Sequence, residues 1–143
     1  MALGDVMKCR MVYSGIRVKD MNRSIRFYTQ ALGMKLQSRG KNKAIQGEWA
    51  QLESPGSRQL LELNWYSPKS PFYTPWKHGV EMDHLCYRVD DVDRSAKTLL
   101  AAGAKRLGGP YTTPGWRMID LSDPNGICIE LGAPANTGSS RAR

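Results

Sequence analysis

Two glutamates and one histidine stand in apolar, strand-like sequence, where an ionisable side chain needs a chemical reason. Glu62 lies in the run LLEL, Glu130 lies in the run ICIEL, and His84 begins the run HLCYRV. A carboxylate that faces a core is costly unless a cation or a metal ion neutralises it. The pattern predicts a shared ligand or cation site. Buried salt bridges from Glu62 to Arg17 and from Glu130 to Arg88 are the structural alternative.

The alternation of side chains along a strand extends each of these candidates into a small group. Residues two apart on a strand share a face, so the neighbours of a candidate ligand can be read from the sequence. Cysteines two residues from a candidate ligand are either small buried filler or further ligands. The predicted groups are Tyr13, Gly15 and Arg17; Leu60, Glu62 and Asn64; His84, Cys86 and Arg88; and Cys128 and Glu130.

The histidine and cysteine counts limit the chemistry of any metal site. The chain has two histidines, so a three-histidine site cannot be built within one chain, and a second histidine ligand would have to be His78. We expect His78 to be an exposed loop residue. Three cysteines without a CxxC spacing argue against a disulfide framework and predict a reducing, cytoplasmic setting.

The elements that must position these residues come from an internal repeat. The segment that begins at Tyr13 aligns with the segment that begins at His84, and in both an Arg-Val pair is followed by a helix start. Later in the chain Glu62 aligns with Glu130. Two copies of about 70 residues are too few for a solenoid and predict two similar modules that share one core. The identical pairs at the start of the repeat are Arg17/Arg88, Val18/Val89, Asp20/Asp91, Arg23/Arg94 and Ser24/Ser95.

Each copy predicts the same order of elements, a strand, a helix and then short strands. Apolar residues recur at helical spacing after the first strand, and Gly33 and Gly103 stand where a left-handed helix end is expected. The fold class is therefore α+β, with two tandem βαβββ modules. The predicted organisation is module 1 at about 9–64, an aromatic and proline-rich connector at 65–82, module 2 at about 83–132 and a loose tail at 133–143. The predicted helices are 22–32 and 92–102, and the predicted strands are 11–18, 34–38, 44–52, 59–63, 84–89, 117–121 and 127–131.

Composition and charge exclude several classes of protein. The 143 residues carry a formal net charge of +8 and a 41% hydrophobic fraction, which is ordinary for a globular domain. No apolar run approaches the roughly 20 residues that span a bilayer, and the first residues lack a leader pattern, so we expect a soluble, unprocessed protein. The positive charge is concentrated in residues 1–77, but it is scattered along predicted helices and strands. It favours an anionic small molecule over a nucleic acid.

Three stretches of the sequence closely resemble the vicinal oxygen chelate superfamily. They are residues 15–36, which include RFYTQALGMKL, the DHL run at 83–85 that leads to RVDDV, and DPNGICIEL at 123–131. The resemblance covers about 11–131 and is strongest to glyoxalase I, the lactoylglutathione lyase. It implies paired βαβββ modules that form a cupped mixed β-sheet, usually completed by homodimerisation.

The resemblance also implies a set of metal ligands. Of the four ligand positions of that family, the second falls on Glu62, the third on His84 and the fourth on Glu130. The first, normally His or Gln, falls on Tyr13, and a neutral phenol is a poor ligand for a divalent cation. Tyr13 then leaves an open position, donates a hydrogen bond to substrate, or marks a site that has lost its metal.

The implied activity is proton abstraction next to a carbonyl with stabilisation of an enediolate by a divalent metal, Ni²⁺, Co²⁺, Zn²⁺, Mn²⁺ or Mg²⁺. Glu130 is the first candidate for the catalytic base, and Glu62 is the second. The resemblance makes Arg17 a receptor for a substrate carboxylate, and Asn64, Trp65 and Tyr13 are further candidates for substrate contacts.

The substrate predicted from this resemblance is a small carbonyl compound or thiohemiacetal, with glutathione as a candidate cofactor. Two alternatives stay open. One is a metal-free binding or resistance protein of the same fold, which Tyr13 favours, and the other is a different superfamily enzyme such as an epimerase or a dioxygenase.

Overall fold

The computed structural model describes residues 7–124 and 126–135, which form two compact units. One unit spans Val12–His84. The other combines residues 7–11 with the described part of the chain from Leu85 onward. The boundaries fall inside the first and fifth strands, close to the positions at which the repeat begins.

Each unit follows the predicted βαβββ order, which the structure confirms. Among the described residues, the elements are β1 (Cys9–Arg17), α1 (Met21–Arg26), a π-helical segment (Phe27–Ala31), β2 (Lys35–Asn42), β3 (Gly47–Glu53), β4 (Leu60–Tyr66), β5 (Met82–Val89), α2 (Val92–Ala101), β6 (Lys105–Thr113), β7 (Trp116–Ser122) and β8 (Cys128–Pro134).

The helices begin where the repeat predicts, because an aspartate caps each of them. Asp20 Oδ1 accepts a hydrogen bond from the Arg23 backbone N–H at 2.8 Å, and Asp91 Oδ1 accepts one from the Arg94 N–H at 2.9 Å. Gly103 has a φ of 104° just after α2, as its predicted role at a helix end requires.

The unit Val12–His84 contains a mixed sheet with the strand order β2-β3-β4-β1. β1 and β4 run parallel with Gly15 opposite Glu62, and β3 pairs antiparallel with β4, which places Gln51 opposite Glu62. Leu52 and Leu63 are fully buried at the centre of the core of this unit. The core therefore fixes β3 and β4, the two strands that position Glu62.

The second unit repeats this arrangement with the order β5-β8-β7-β6. β5 and β8 run parallel, and β7 pairs antiparallel with β8 so that Asp120 lies opposite Glu130. α2 packs on β7 and β8 through a core that includes Ile119, Leu121 and Leu131.

Several predicted boundaries are corrected. The α-helix of the first copy ends at Arg26 instead of continuing to Leu32, because the segment Phe27–Ala31 is π-helical. The strand β6 had no predicted bounds. Ala133 is buried in β8, so the start predicted for the tail is wrong, and residues 136–143 lie outside the described residues. Neither described helix is both long and apolar enough to cross a membrane.

Candidate functional site

The unit Val12–His84 brings three of the predicted site residues together. The Nε2 of His84 lies 3.5 Å from Glu62 Oε1 and 3.3 Å from the Tyr13 hydroxyl. Glu62 and His84 are 6% and 7% exposed, so both ionisable side chains are held away from bulk water. The Tyr13 and His84 rings meet edge to face with their centroids 5.3 Å apart. The structure thus brings together Tyr13, Glu62 and His84, three of the four ligand positions that the resemblance implies.

The His84 imidazole reaches this position because β1 carries glycine at residue 15. A Cβ at Gly15 would lie 2.8 Å from both Cε1 and Nδ1 of His84 and 3.1 Å from Nδ2 of Asn64. Atoms of a real side chain essentially never come that close, so the ring occupies space that any other residue at 15 would fill. The absence of a side chain at this position is a requirement of the site.

A neutral amide holds the Glu62 carboxylate. The Nε2 of Gln51, on the neighbouring strand β3, donates a hydrogen bond to Glu62 Oε2 at 2.8 Å. This leaves the Oε1 atom on the side that faces His84. A hydrogen bond to the ionised form of a carboxylate stabilises that form, which suits a metal ligand or a proton acceptor.

Asp83 is a second buried carboxylate of the site, and the residue patterns had not singled it out. Its Oδ2 lies 2.9 Å from His84 Nδ1 and accepts a hydrogen bond from the Tyr66 hydroxyl at 2.8 Å. Its Oδ1 accepts a hydrogen bond from Arg17 Nη2 at 3.2 Å. Burial alone would raise the pKa of Asp83, but the contacts with His84, Tyr66 and Arg17 outweigh it, and the pKa lies below its usual range.

Tyr66 is held in its neutral form by the same network. Burial raises the pKa of Tyr66 far above its ordinary value, and the adjacent Asp83 charge raises it further. The phenol therefore remains a hydrogen-bond donor to Asp83 throughout the physiological pH range.

Arg17 is closely engaged within its own unit. Besides Asp83, its guanidinium donates hydrogen bonds to Thr74 Oγ1 at 2.6 Å and to the Phe72 carbonyl at 3.1 Å, and it lies over the Tyr66 ring. Its Nε is buried and has no hydrogen-bond partner among the described residues. Arg88, its counterpart in the repeat, lies over the Trp116 ring at 4.0 Å.

Asn64 and Trp65 follow Glu62 along β4. Asn64 is 5% exposed, and its side-chain Nδ2 is buried without a hydrogen-bond partner in the described part of the chain. Such an amide is a candidate donor to a bound molecule, since an unsatisfied buried donor costs about 1–3 kcal/mol. Trp65 packs against the hydrophobic core of the unit.

Glu130 belongs to the other unit, where it faces a carboxylate instead of an amide. The Tyr111 hydroxyl lies 3.3 Å from Glu130 Oε2 and 3.2 Å from Asp120 Oδ2. Burial raises the pKa of Tyr111, as do the charges of Glu130 and Asp120. Gln51 and Asp120 occupy equivalent positions on β3 and β7, and the repeat aligns them with each other, but their pairing with the two glutamates depends on the strand register.

His78 lies apart from the site, as expected. Its fully exposed ring is 3.3 Å from the Glu81 carboxylate.

Comparison with known proteins now identifies the family. The sequence profile of the Glyoxalase/Bleomycin resistance protein/Dioxygenase superfamily matches residues 10–131. This chain belongs to that superfamily. The resemblance and the fold class predicted from the sequence are confirmed.

The relatives of this superfamily member carry more than one activity in their names. The chain is 30% identical to a probable lactoylglutathione lyase of Vibrio parahaemolyticus over 85% of its own length and 88% of the relative. It is also 30% identical to a lactoylglutathione lyase of Haemophilus influenzae, over 85% and 90% of the two chains. The crystal structure of methylmalonyl-CoA epimerase from Mycobacterium tuberculosis superposes with a TM-score of 0.74 at 27% identity, covering 87% of each chain.

The divalent metal implied by the superfamily finds two fitting donors in the unit Val12–His84. His84 Nε2 and Glu62 Oε1 face each other, and a carboxylate at His84 Nδ1 is the usual partner of a metal-bound imidazole. Tyr13 adds a neutral phenol. Within residues 7–124 and 126–135, no group of three or more His, Cys, Asp or Glu side chains is close enough to hold a metal by itself. The third ligand predicted from the sequence, Glu130, stays a prediction.

Proposed function

We propose that this chain is a divalent-metal-dependent lyase or isomerase that removes a proton from the carbon next to a carbonyl in a small substrate. The observation that carries the proposal is the buried pair of Glu62 Oε1 and His84 Nε2, 3.5 Å apart. A carboxylate and an imidazole held together away from water suit metal binding and proton transfer.

The residues have separate roles in this proposal. Glu62 and His84 would hold the metal, with Glu130 as a further ligand. The metal would act as a Lewis acid that polarises the substrate carbonyl. Glu130 or Glu62 would accept the proton, and in Glu62 the accepting atom would be Oε1, which lies on the side of His84, while Gln51 holds Oε2. Tyr13 would donate a hydrogen bond to a substrate oxygen.

Metal analysis of the purified protein tests the first half of the proposal. We expect stoichiometric divalent metal, or an increase in Tm on addition of Ni²⁺, Co²⁺, Zn²⁺ or Mn²⁺, and we expect His84→Gln to abolish either effect. The matched control is His78→Gln, because His78 is the other histidine of the chain and is fully exposed. Metal-free protein whose Tm ignores all four ions would overturn the proposal.

Assays with two candidate substrates test the second half of the proposal, the removal of a proton next to a carbonyl. We expect metal-loaded protein to form a thioester from methylglyoxal and glutathione, or to exchange the α-proton of methylmalonyl-CoA for deuterium. The first substrate is suggested by the relatives named lactoylglutathione lyase, and the second by the epimerase structure. Glu62→Gln should lose the activity, whereas Glu81→Gln, on an exposed carboxylate, should retain it.

A metal-free binding protein is the second candidate function, and Tyr13 is the observation that favours it. The Tyr13 hydroxyl lies 3.3 Å from His84 Nε2, the nitrogen that would bind a metal. Tyr13→His separates the two functions. A gain in affinity for Ni²⁺ means that the remaining ligands are already in place, while an unchanged absence of metal binding favours the binding protein.

A further inference from the structure

We propose that Asp83 and Arg17 are positioning residues for His84, with Arg17 fixing the Asp83 carboxylate and Asp83 accepting a hydrogen bond from His84 Nδ1–H. The orientation of His84 does not depend on the proposed function. Only the role of Nε2 as a metal ligand or proton acceptor rests on that proposed function. We thus assign Arg17 a role within the protein in place of a substrate carboxylate receptor.

The geometry of Asp83 supports the first step. Tyr66 donates a hydrogen bond to its Oδ2 and Arg17 donates one to its Oδ1, and His84 Nδ1 lies 2.9 Å from Oδ2. The side chains of Asp83 and His84 are 7% and 9% exposed. A carboxylate that is hydrogen-bonded on both oxygens cannot rotate freely, so the oxygen that faces Nδ1 is fixed.

The contact with Asp83 fixes the orientation of the His84 ring. An imidazole bound through Nδ1 presents Nε2 in the opposite direction, and in this unit Nε2 faces Glu62 and Tyr13. Gly15 leaves the space that the ring needs. Asp83 therefore determines that Nε2, and not Nδ1, is the His84 nitrogen that would bind a metal or accept a proton.

The contacts of Arg17 support the second step. Its two terminal nitrogens are engaged by Asp83, Thr74 and the Phe72 carbonyl, and its side chain is 17% exposed. A substrate carboxylate that required the Arg17 fork would have to displace these partners. We therefore expect the substrate to be bound without a carboxylate on Arg17, so that a glutathione carboxylate is not recognised there.

Nitrogen-15 NMR of the two imidazoles tests the inference in metal-free protein without substrate. The chain has only two histidines, so His78→Gln assigns both. We expect a protonated Nδ1 of His84 whose proton exchanges slowly with water, and we expect Asp83→Ala to lose this signal. The control is Glu81→Ala, which removes the carboxylate beside the exposed His78 and should leave the His84 signal unchanged. An unprotonated Nδ1 in the wild-type protein overturns the inference without any variant.

Arg17→Met distinguishes positioning from substrate recognition. A positioning role predicts faster exchange of the His84 Nδ1 proton in Arg17→Met, whereas a receptor for substrate leaves the His84 spectrum as in wild type and overturns this part. If Asp83→Ala does not fold, Asp83→Asn replaces it. Its amide oxygen can still accept from Nδ1 but lacks the charge, so faster exchange is expected and unchanged exchange contradicts the inference.

Titration with Ni²⁺ alone gives a second readout. Loss of a carboxylate partner of a metal-bound histidine typically costs about 10–100-fold in metal affinity, and we expect a loss of that order in Asp83→Ala. An unchanged affinity contradicts the inference. A protein with the intact His84 signal that binds none of Ni²⁺, Co²⁺, Zn²⁺ and Mn²⁺ contradicts the proposed function instead, so the two failures are distinguishable.

Discussion

At the scale of single residues, the site depends on a residue that has no side chain. A Cβ at Gly15 would come within 2.8 Å of the His84 ring, and β1 and β4 hold the backbone there in a paired ladder. The ring must move or the strand must shift if a methyl group is added.

We therefore expect Gly15→Ala to destabilise the protein by about 1–3 kcal/mol, the usual cost of overpacking, and to remove the slowly exchanging His84 proton. Chemical denaturation and NMR measure the two effects. The matched control is Gly108→Ala, because the nearest atom to a Cβ at Gly108 is 3.6 Å away, an ordinary contact. Equal stability of Gly15→Ala and wild type would show that the ring does not need this space.

The grouping of Tyr13, Glu62 and His84 was predicted through the resemblance, which makes them ligand positions of one metal site. Strand alternation and the repeat alone only grouped residues within each strand and aligned Tyr13 with His84. The sequence did not predict the role of Asp83. Neighbouring residues on a strand point to opposite faces, so alternation gives no reason to expect Asp83 Oδ2 at 2.9 Å from His84 Nδ1. The partner of Arg17 depends on the path of the chain between β4 and β5, which no local pattern fixes.

At the scale of elements, the two helices begin at equivalent aspartates of the repeat. Asp20 and Asp91 each accept a hydrogen bond from the backbone N–H three residues later. We expect Asp20→Ala and Asp91→Ala each to lower the free energy of unfolding by about 1 kcal/mol. Urea denaturation measures the change. Asp90→Ala, on an exposed neighbour outside the cap, is the control and should leave the stability unchanged.

The end of the first helix was harder to predict than its start. Apolar residues continue at helical spacing to Leu32, yet Phe27 and Leu32 are more than half exposed and give the helix little burial to extend it. The Thr29 hydroxyl bonds back to the Ile25 carbonyl at 2.8 Å, a contact that often bends helices. Periodicity alone does not report these competing interactions.

An ion pair links α2 to β7 and gives a pH prediction. Arg117 donates hydrogen bonds to both carboxylate oxygens of Asp93, at 2.9 and 2.8 Å. These bonds hold the pKa of Asp93 below its usual value. Because the folded-state pKa is depressed, the stabilisation is complete above the ordinary aspartate pKa of about 3.9 and is lost as the pH falls through the folded-state value.

We therefore expect Arg117→Ala to lower Tm at neutral pH and the difference from wild type to shrink in acid. Thermal unfolding of both proteins, from neutral pH down to below the ordinary aspartate pKa, measures this difference in Tm. In an Asp93→Asn background, Arg117→Ala should produce no pH-dependent difference. A difference that persists in that background would assign the effect to another partner of Arg117.

At the scale of the whole molecule, the duplication explains how one short sequence supplies two carboxylate positions in similar sheets. Glu62 and Glu130 lie on equivalent strands, but the repeat has diverged around them, with Gln51 opposite one and Asp120 opposite the other. The repeat predicted the element order in both halves. It did not predict the divergence, since the partner of each glutamate depends on strand register, which one sequence defines only loosely.

The last prediction is that two molecules of this protein associate into a homodimer, and it is argued from their surface and their charge. The resemblance to the superfamily implies a homodimer, and the chain exposes apolar surface that a dimer interface could cover, since Met11, Phe27, Leu32 and Leu107 are each more than half exposed. Each molecule also carries a formal net charge of +8, so electrostatic repulsion opposes the approach of two molecules, and salt screens this repulsion. We expect sedimentation equilibrium to give a homodimer mass, with a tighter dimer at physiological than at low ionic strength. A monomer mass at every protein concentration and every salt concentration contradicts the prediction, and a dimer that weakens with salt would mean that opposite charges, not apolar surfaces, hold the copies together.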